Sequence, residues 1–434
     1  MKKLKVYTIN GGLILNSIRE SKKTTLIFIY LYAFFVFYMP ELNGILGIRS
    51  HILLTGLLFI LIPFFVNGKL NVNKELFYLC VGIVISSVFF GVRALTSGNE
   101  LRFLQNNFII IQAIHISFII KCLRQKGYTK DDQIKFILNI ALFQSFICIL
   151  MLIIPPFREI ALNLYYNGKQ ENIYISASRI YGISGDYTFF TPVFHGLLSV
   201  VASVYAILKN YKYLYYIPFF LISILLNGRI GLIVFAFGMM SALLVLLFRG
   251  KSISKIIIYV FSFIMTLTIS LFLIKFIVPN TFYWIQSGLQ DTLALFSDNK
   301  LSGNYESLLN TMLYWPEGTN LIWGEGYRVY GEFGLLHGKI PSDIGFVNDM
   351  FMGGILYIVL LYGAIIRFVL KKNKNTNQSS RVLNIVLSVS MLTVLLISNY
   401  KGESMKSGLI LLGVIYLKLI ISDDDSNTKR LKET

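Results

Sequence analysis

Ile230–Phe248 reads IGLIVFAFGMMSALLVLLF, an apolar run with no charge between Arg229 and Arg249. Wound as a helix at about 1.5 Å per residue, such a run is close to the length needed to cross a hydrocarbon core about 30 Å thick. Water is a poor solvent for it, and the rest of the chain repeats the pattern. Working outward, apolar runs of crossing length fall at Tyr213–Leu226, Phe190–Leu208, Ile134–Ile154, Phe103–Ile120, Leu76–Val92, His51–Val66 and Thr24–Met39 on one side. On the other side lie Ile256–Val278, Ile344–Leu370, Val382–Ser398 and Gly408–Ile421. The expectation is an all-α polytopic membrane protein of about 12 transmembrane helices in a single integral membrane domain over 1–434.

Composition agrees. Of 434 residues, 55% are hydrophobic and only 14% charged, more apolar surface than one water-soluble core could hide. The net charge of +18 would suggest nucleic acid in a soluble protein. Here topology accounts for it. With both termini cytoplasmic, the cytoplasmic connections hold about 27 of the 40 basic residues, and basic residues belong on that side. On the outer side about 13 basic residues meet about 14 acidic ones, so no nucleic-acid partner is needed. Cys80, Cys122 and Cys148 are far apart, with no CxxC spacing and no flanking histidine. They imply neither a disulfide framework nor a metal site. The first apolar stretch, Gly11–Ile18, is too short to span and lacks a small-residue cleavage site, so no removable signal peptide is expected.

Two outer connections are long, 155–189 and 279–343. Loops of that length in a compact domain are more often functional than idle. The first ends in SRIYGISGDYTFFTPVFHG, Ser178 to Gly196. Gly182 and Gly185 allow tight backbone turns around Tyr181, Pro192 suits a first helical turn, and the positive end of the new helix would face an anion. Arg179 is placed to grip a phosphate, although a solvated loop arginine beside turn glycines has the same sequence. Arg229, in Asn227-Gly228-Arg229-Ile230-Gly231, must snorkel, pair or bind something. Two glycine-flanked arginines at span mouths on one face suit a pyrophosphate.

The second loop is expected to hold a short amphipathic helix at Tyr305–Tyr314, followed by Gly324-Glu325-Gly326-Tyr327-Arg328 and a re-entry at Ser342-Asp343-Ile344. Carboxylates among aromatics (Trp315, Trp323, Tyr327, Tyr330) suit sugars, and an interfacial aromatic belt would look alike. His115, His195 and Lys275 are ionisable groups inside apolar runs. No GxGxxG, P-loop, HExxH or GxSxG pattern is present.

In layout and short motifs the chain resembles the O-antigen polymerase family of bacterial polysaccharide polymerases, within a wider group that includes the O-antigen ligases. The resemblance rests on Arg179, Gly182, Pro192 and Gly196, with a longer gap before the proline than the family pattern, on Asn227 to Gly231, and on Gly324, Gly326 and Asp343. It implies a glycosyltransferase of the bacterial inner membrane, working at the periplasmic face without cofactor or metal. Its substrates would be undecaprenyl-pyrophosphate-linked oligosaccharide repeat units, and its partners the membrane lipid, a chain-length regulator protein and a flippase. Arg179 and Arg229 would steady the leaving diphosphate. Asp186, Glu325 or Asp343 would take the acceptor proton, with Tyr181, Gly182, Gly185, Gly326, Tyr327 and Arg328 lining the substrate. Ligase-like members carry a histidine at the re-entry where this chain has Ser342-Asp343, its nearest histidine being His337. That favours polymerase over ligase. A lipid-linked oligosaccharide flippase or other transporter is the competing reading.

Overall fold

The computed structural model describes residues 26–40, 73–98, 106–166, 179–180, 182–185, 190–228, 230–249, 253–277, 306–371, 378–405 and 408–422, with a few isolated positions between them. Among the described residues every regular element is helical, and the only β-type pairing is an isolated bridge between Ile344 and Gly402.

The helices are α1 Leu26–Tyr38, α2 Lys74–Arg93, α3 Phe108–Gln125, α4 Lys130–Ile153, α5 Pro155–Tyr166, α6 Phe190–Leu208, α7 Tyr216–Asn227 and α8 Ile230–Phe248. After them come α9 Ile253–Ile277, the short α10 Asn320–Trp323 and α11 Glu332–Leu336, then α12 Gly345–Leu370, α13 Gln378–Ser398 and α14 Gly408–Ile421. Seven helices among the described residues are long and apolar enough to cross a membrane, lying in α2, α3, α4, α6, α8, α12 and α13. The expected twelve are therefore not reached among the described residues. Nearly all of His51–Val66 lies outside them, and the apolar parts of α1 and α14 are shorter than a bilayer core. α14 needs no greater length of its own, because Leu409 to Ile421 are all buried by neighbouring helices.

Local chemistry explains the element ends. Thr129 and Asp132 form a reciprocal capping box at the start of α4. Two expectations change. The first long connection, expected as loop from Pro155, begins with α5, because prolines in a first turn lose no hydrogen bond there. Of the amphipathic helix expected over Tyr305–Tyr314, the described residues are helical at Glu306 and in a π-turn at Ser307–Thr311, and the helix ends at Met312. Trp315 precedes Pro316, and a residue before proline is driven out of helical geometry.

Small residues let the helices close. A Cβ on Gly196 of α6 would stand 2.6 Å from the Gly231 carbonyl of α8, and one on Gly231 would stand 2.3 Å from the Pro192 carbonyl. In lipid, where tails are as apolar as leucine, such close packing drives association. Elsewhere the bundle shows large apolar side chains outward, Phe28, Val88, Phe146 and Phe276 among them, as a bilayer-facing surface must.

The two ends of the bundle differ. At one, the basic end, Lys371 and Arg367 approach Glu75 at 3.4 and 4.0 Å, and Lys209 pairs with Asp131 at 3.6 Å. Lys418 donates to the Lys371 carbonyl at 2.8 Å. The other end gathers the C-termini of α1, α2 and α7 and the N-termini of α6, α12 and α14, and carries the loops described next.

Candidate functional site

The arginine loop is fastened from several sides at this loop end. The Ile180 N–H donates to the Leu226 carbonyl at 2.9 Å, which lays Arg179-Ile180 on the last turn of α7. The Gly185 N–H donates to the Tyr38 carbonyl at 2.8 Å, at the end of α1. The Thr191 hydroxyl, in the first turn of α6, donates to Ser184 Oγ at 2.7 Å. Gly182 has φ +68°, and a Cβ there would meet the Gln144 side-chain nitrogen at 2.3 Å. Only glycine combines that backbone with that approach.

Beneath the loop lies a polar layer. Tyr38 Oη is 2.7 Å from His195 Nε2, and Ser145 Oγ is 3.5 Å from His195 Nδ1. His195 is thus a hydrogen-bonded buried group rather than a lone intramembrane ion. Asn227 ends α7 fully buried, and among the described residues neither its side-chain oxygen nor its nitrogen has a hydrogen-bond partner.

Of the sequence candidates here, Arg179, Gly182 and Gly185 are described, while Tyr181, Asp186 and Arg229 lie outside the described residues. Leu226, to which Ile180 is bonded, is three positions before Arg229 in the chain.

The second loop docks on a break in α12. Gly354 has φ 65° and ψ −163° inside that helix. The Phe351 carbonyl, which an unbroken helix would use for the N–H four residues on, instead accepts the N–H groups of Glu325 at 2.6 Å and Gly326 at 3.1 Å. Gly324, with φ +74°, rests directly on the Gly353 backbone, and Arg93 Nη2 donates to the Gly324 carbonyl at 2.7 Å.

This docking presents Glu325 in a set of donors. Its carboxylate accepts from the Tyr327 hydroxyl and faces Lys339 Nζ at 3.4 Å. The Tyr327 ring stacks on His337 with centroids 3.7 Å apart and planes at 11°. Burial, then the adjacent Glu325 carboxylate, pushes the Tyr327 hydroxyl above the usual phenol range, so it remains a donor. Glu325 keeps 14% of its side chain exposed, and His337 is exposed beside it. A carboxylate held this way can accept a proton from a group arriving at the loop surface.

Arg328 has a different setting. Its Nε is 2.5 Å from Glu100 Oε1, its N–H donates to Glu100 Oε2 at 2.7 Å, and Nη1 is 3.8 Å from Glu403. Phe333 and Tyr330 flank the guanidinium at 5.4 and 5.8 Å. With 8% exposure, Arg328 ties the loop to two other segments of the chain. Asp343 is half-buried, its carbonyl accepting from the Gly402 N–H at 2.9 Å.

Sequence reasoning missed the residues that hold this loop. Asp349, fully buried, accepts from the Tyr362 hydroxyl, which in turn accepts from Asn399 at 2.6 Å. Asn348 receives the Val329 N–H at 3.0 Å and donates to the carbonyls of Ser342 and Ile344. The signal was present for these two, since Asn348-Asp349 interrupts an apolar span, where polar groups are costly. Glu100 and Glu403 sit in short connections with no pattern around them; only the fold brings them to Arg328.

Among the described residues no group of three or more His, Cys, Asp or Glu side chains is placed to hold a metal ion. Comparison of the chain with protein-family models, with curated proteins and with solved structures finds no match.

Proposed function

We propose that the chain is a polymerase of lipid-linked glycan, transferring the growing glycan from undecaprenyl pyrophosphate to the terminal sugar of a lipid-linked repeat unit. In that reaction the bond between the anomeric carbon and the diphosphate oxygen breaks, and a bond forms from that carbon to an acceptor hydroxyl oxygen. The hydroxyl proton passes to a base, and the lipid diphosphate leaves with its electron pair. The protein must therefore offer fixed positive charge to a departing diphosphate and a carboxylate to the acceptor. Fixed charges in a partly dry site are worth far more than the same charges in water.

The observation that carries the reading is the Ile180–Leu226 hydrogen bond, which fastens the Arg179 loop to the turn leading to Arg229. In this reading Arg179 and Arg229 take the diphosphate, and Tyr181, Gly182 and Gly185 shape its seat. Glu325, Asp343 and Asp186 are the carboxylates for the acceptor proton, and Glu325 has the fullest set of neighbours among the described residues. Tyr327 and Gly326 position it, and Arg328 anchors the loop that bears it. The site would face the periplasm of a bacterial inner membrane, with both termini cytoplasmic. A flippase would deliver repeat units to it, and a chain-length regulator would limit the product.

A deletion strain complemented with this gene tests the reading, its surface glycan displayed on a gel. Arg179→Ala is expected to cut polymerisation about a hundredfold or more, leaving single repeat units on lipid A core while the protein remains inserted. A normal ladder of chain lengths refutes it. Loss of every surface unit would indicate a flippase, and a ladder kept on the lipid carrier would indicate a ligase.

A further inference from the structure

Toward the basic end, α2 and α12 pack antiparallel, and a Cβ on Gly82 would stand 2.4 Å from that of Ala364. One residue away, no heavy atom of the described residues lies within 4 Å of where a Cβ on Gly363 would stand. The missing side chain leaves a trough of about 320 Å³ between the helices, lined by Tyr78, Val81, Gly82, Ile85, Gly363 and Ala364. Its walls are apolar, and Val81 and Ile85 stay 36% and 49% exposed along it. Among the described residues no other part of the chain covers it, and in a bilayer it opens sideways onto lipid. An empty trough forfeits dispersion contact along both walls, so an acyl chain is the natural filling.

The mouth of the trough shows which lipid. Glu75 and Arg367 line it. Arg367 lies over the Tyr78 ring at 4.5 Å, which holds the guanidinium at the rim. Lys74 sits 5.7 Å from the same ring, and Lys371 and Arg367 are more than half exposed. Lys418 adds its ammonium at the Lys371 carbonyl. Three exposed cations, Lys74, Arg367 and Lys371, thus face one carboxylate at the level where a lipid in the trough would carry its headgroup, with Lys418 buried behind them. We infer that the α2–α12 groove binds an anionic phospholipid, one chain along Gly363 and the phosphate at Arg367 and Lys371. This site lies at the opposite end of the bundle from the glycan site proposed above and does not depend on it.

The full chain, delipidated in a neutral detergent, is titrated with phosphatidylglycerol and with phosphatidylcholine, reading the thermal unfolding midpoint and, by native mass spectrometry, the lipid retained. The expected result is a saturable rise with phosphatidylglycerol, half-complete at a concentration about tenfold or more below that for phosphatidylcholine. Neutralising two rim cations (Arg367→Gln with Lys371→Gln) is expected to weaken it about 25-fold, or about fivefold per charge. Gly363→Leu fills the trough and is expected to abolish the saturable rise while leaving the lipid-free midpoint unchanged or slightly raised. Equal response to both lipids overturns the proposal. So does a saturable rise that survives in Gly363→Leu, or a dimer that this variant dissociates, since the groove would then belong to a second copy. Should Gly363→Leu not fold, the lipid retained by wild type and by Arg367→Gln decides: equal retention of phosphatidylglycerol overturns it.

Discussion

Arg328 shows how one residue can commit a whole loop. Its guanidinium bridges Glu100 and Glu403, and all three side chains are at least nine-tenths buried. Removing one member of such a set leaves uncompensated charge, at about 3–5 kcal/mol. Arg328→Met is therefore expected to lower the unfolding temperature of the detergent-solubilised protein sharply. Adding Glu100→Gln to that variant should recover part of the loss, and a larger loss in the double variant would rule out the bridge. A second residue gives a pH signature. Burial first, and then Glu325, pushes the Tyr314 hydroxyl up to about 12, and that hydroxyl donates to the Ile340 carbonyl. A group whose folded value is raised contributes stability that is fully present below its ordinary value near 10 and is lost as pH rises through the folded value. The margin of wild type over Tyr314→Phe, measured by thermal unfolding, should hold up to about pH 10 and close by about pH 12. At this scale the sequence was only partly legible. It read Gly182 as a turn glycine and Gly326 as lining the substrate; the structure shows positive φ and a close approach at Gly182, Gly324 and Gly326. The sequence could not show that Arg328 faces inward, because its partners lie 228 positions before it and 75 after it.

At the scale of elements, the break in α12 connects packing to the site. Gly354 takes a backbone conformation that side chains resist, and a Cβ there would stand 2.3 Å from the Ile322 carbonyl. Gly354→Ala therefore combines conformational strain of about 1–3 kcal/mol with a backbone clash. Its expected outcome is loss of the Glu325 and Gly326 docking on Phe351, read as faster proteolysis of the 320–340 segment together with a lower unfolding temperature. Gly363→Ala, in the same helix but facing open space, is the internal control. It should be neutral or stabilise by about 0.5–1 kcal/mol, since alanine orders more cheaply in a helix than glycine. If both variants were equally cleaved, the kink would not be what positions the loop. The apolar runs that became α2, α4, α6, α8 and α12 were readable because hydrophobic length is a property of the segment alone. The kink was not, because Gly353-Gly354 in an apolar run reads equally well as a helix-packing face, and only the loop lying across it selects the broken form.

For the molecule as a whole, the governing asymmetry is between its ends. Lys74, Lys126, Lys130, Lys209, Lys371 and Arg249 lie at the ends of helices on one side, whereas Glu325, Arg328 and Asp343 lie in loops on the other. Positive connections are favoured on the cytoplasmic side during insertion, so this arrangement predicts one orientation for every loop at once. The three native cysteines are free thiols, and their replacement permits labelling at chosen sites. In such a background, Leu336→Cys, at a position 78% exposed in α11, is expected to react with a membrane-impermeant maleimide in cells whose outer membrane alone has been opened. Lys126→Cys, on the exposed turn after α3, should react only after the inner membrane is lysed. The reverse pattern would put the Arg179 loop and Glu325 in the cytosol. There they could not meet a glycan already carried across the membrane, and the polymerase reading would fail, because the orientation fixes which compartment can supply its substrate.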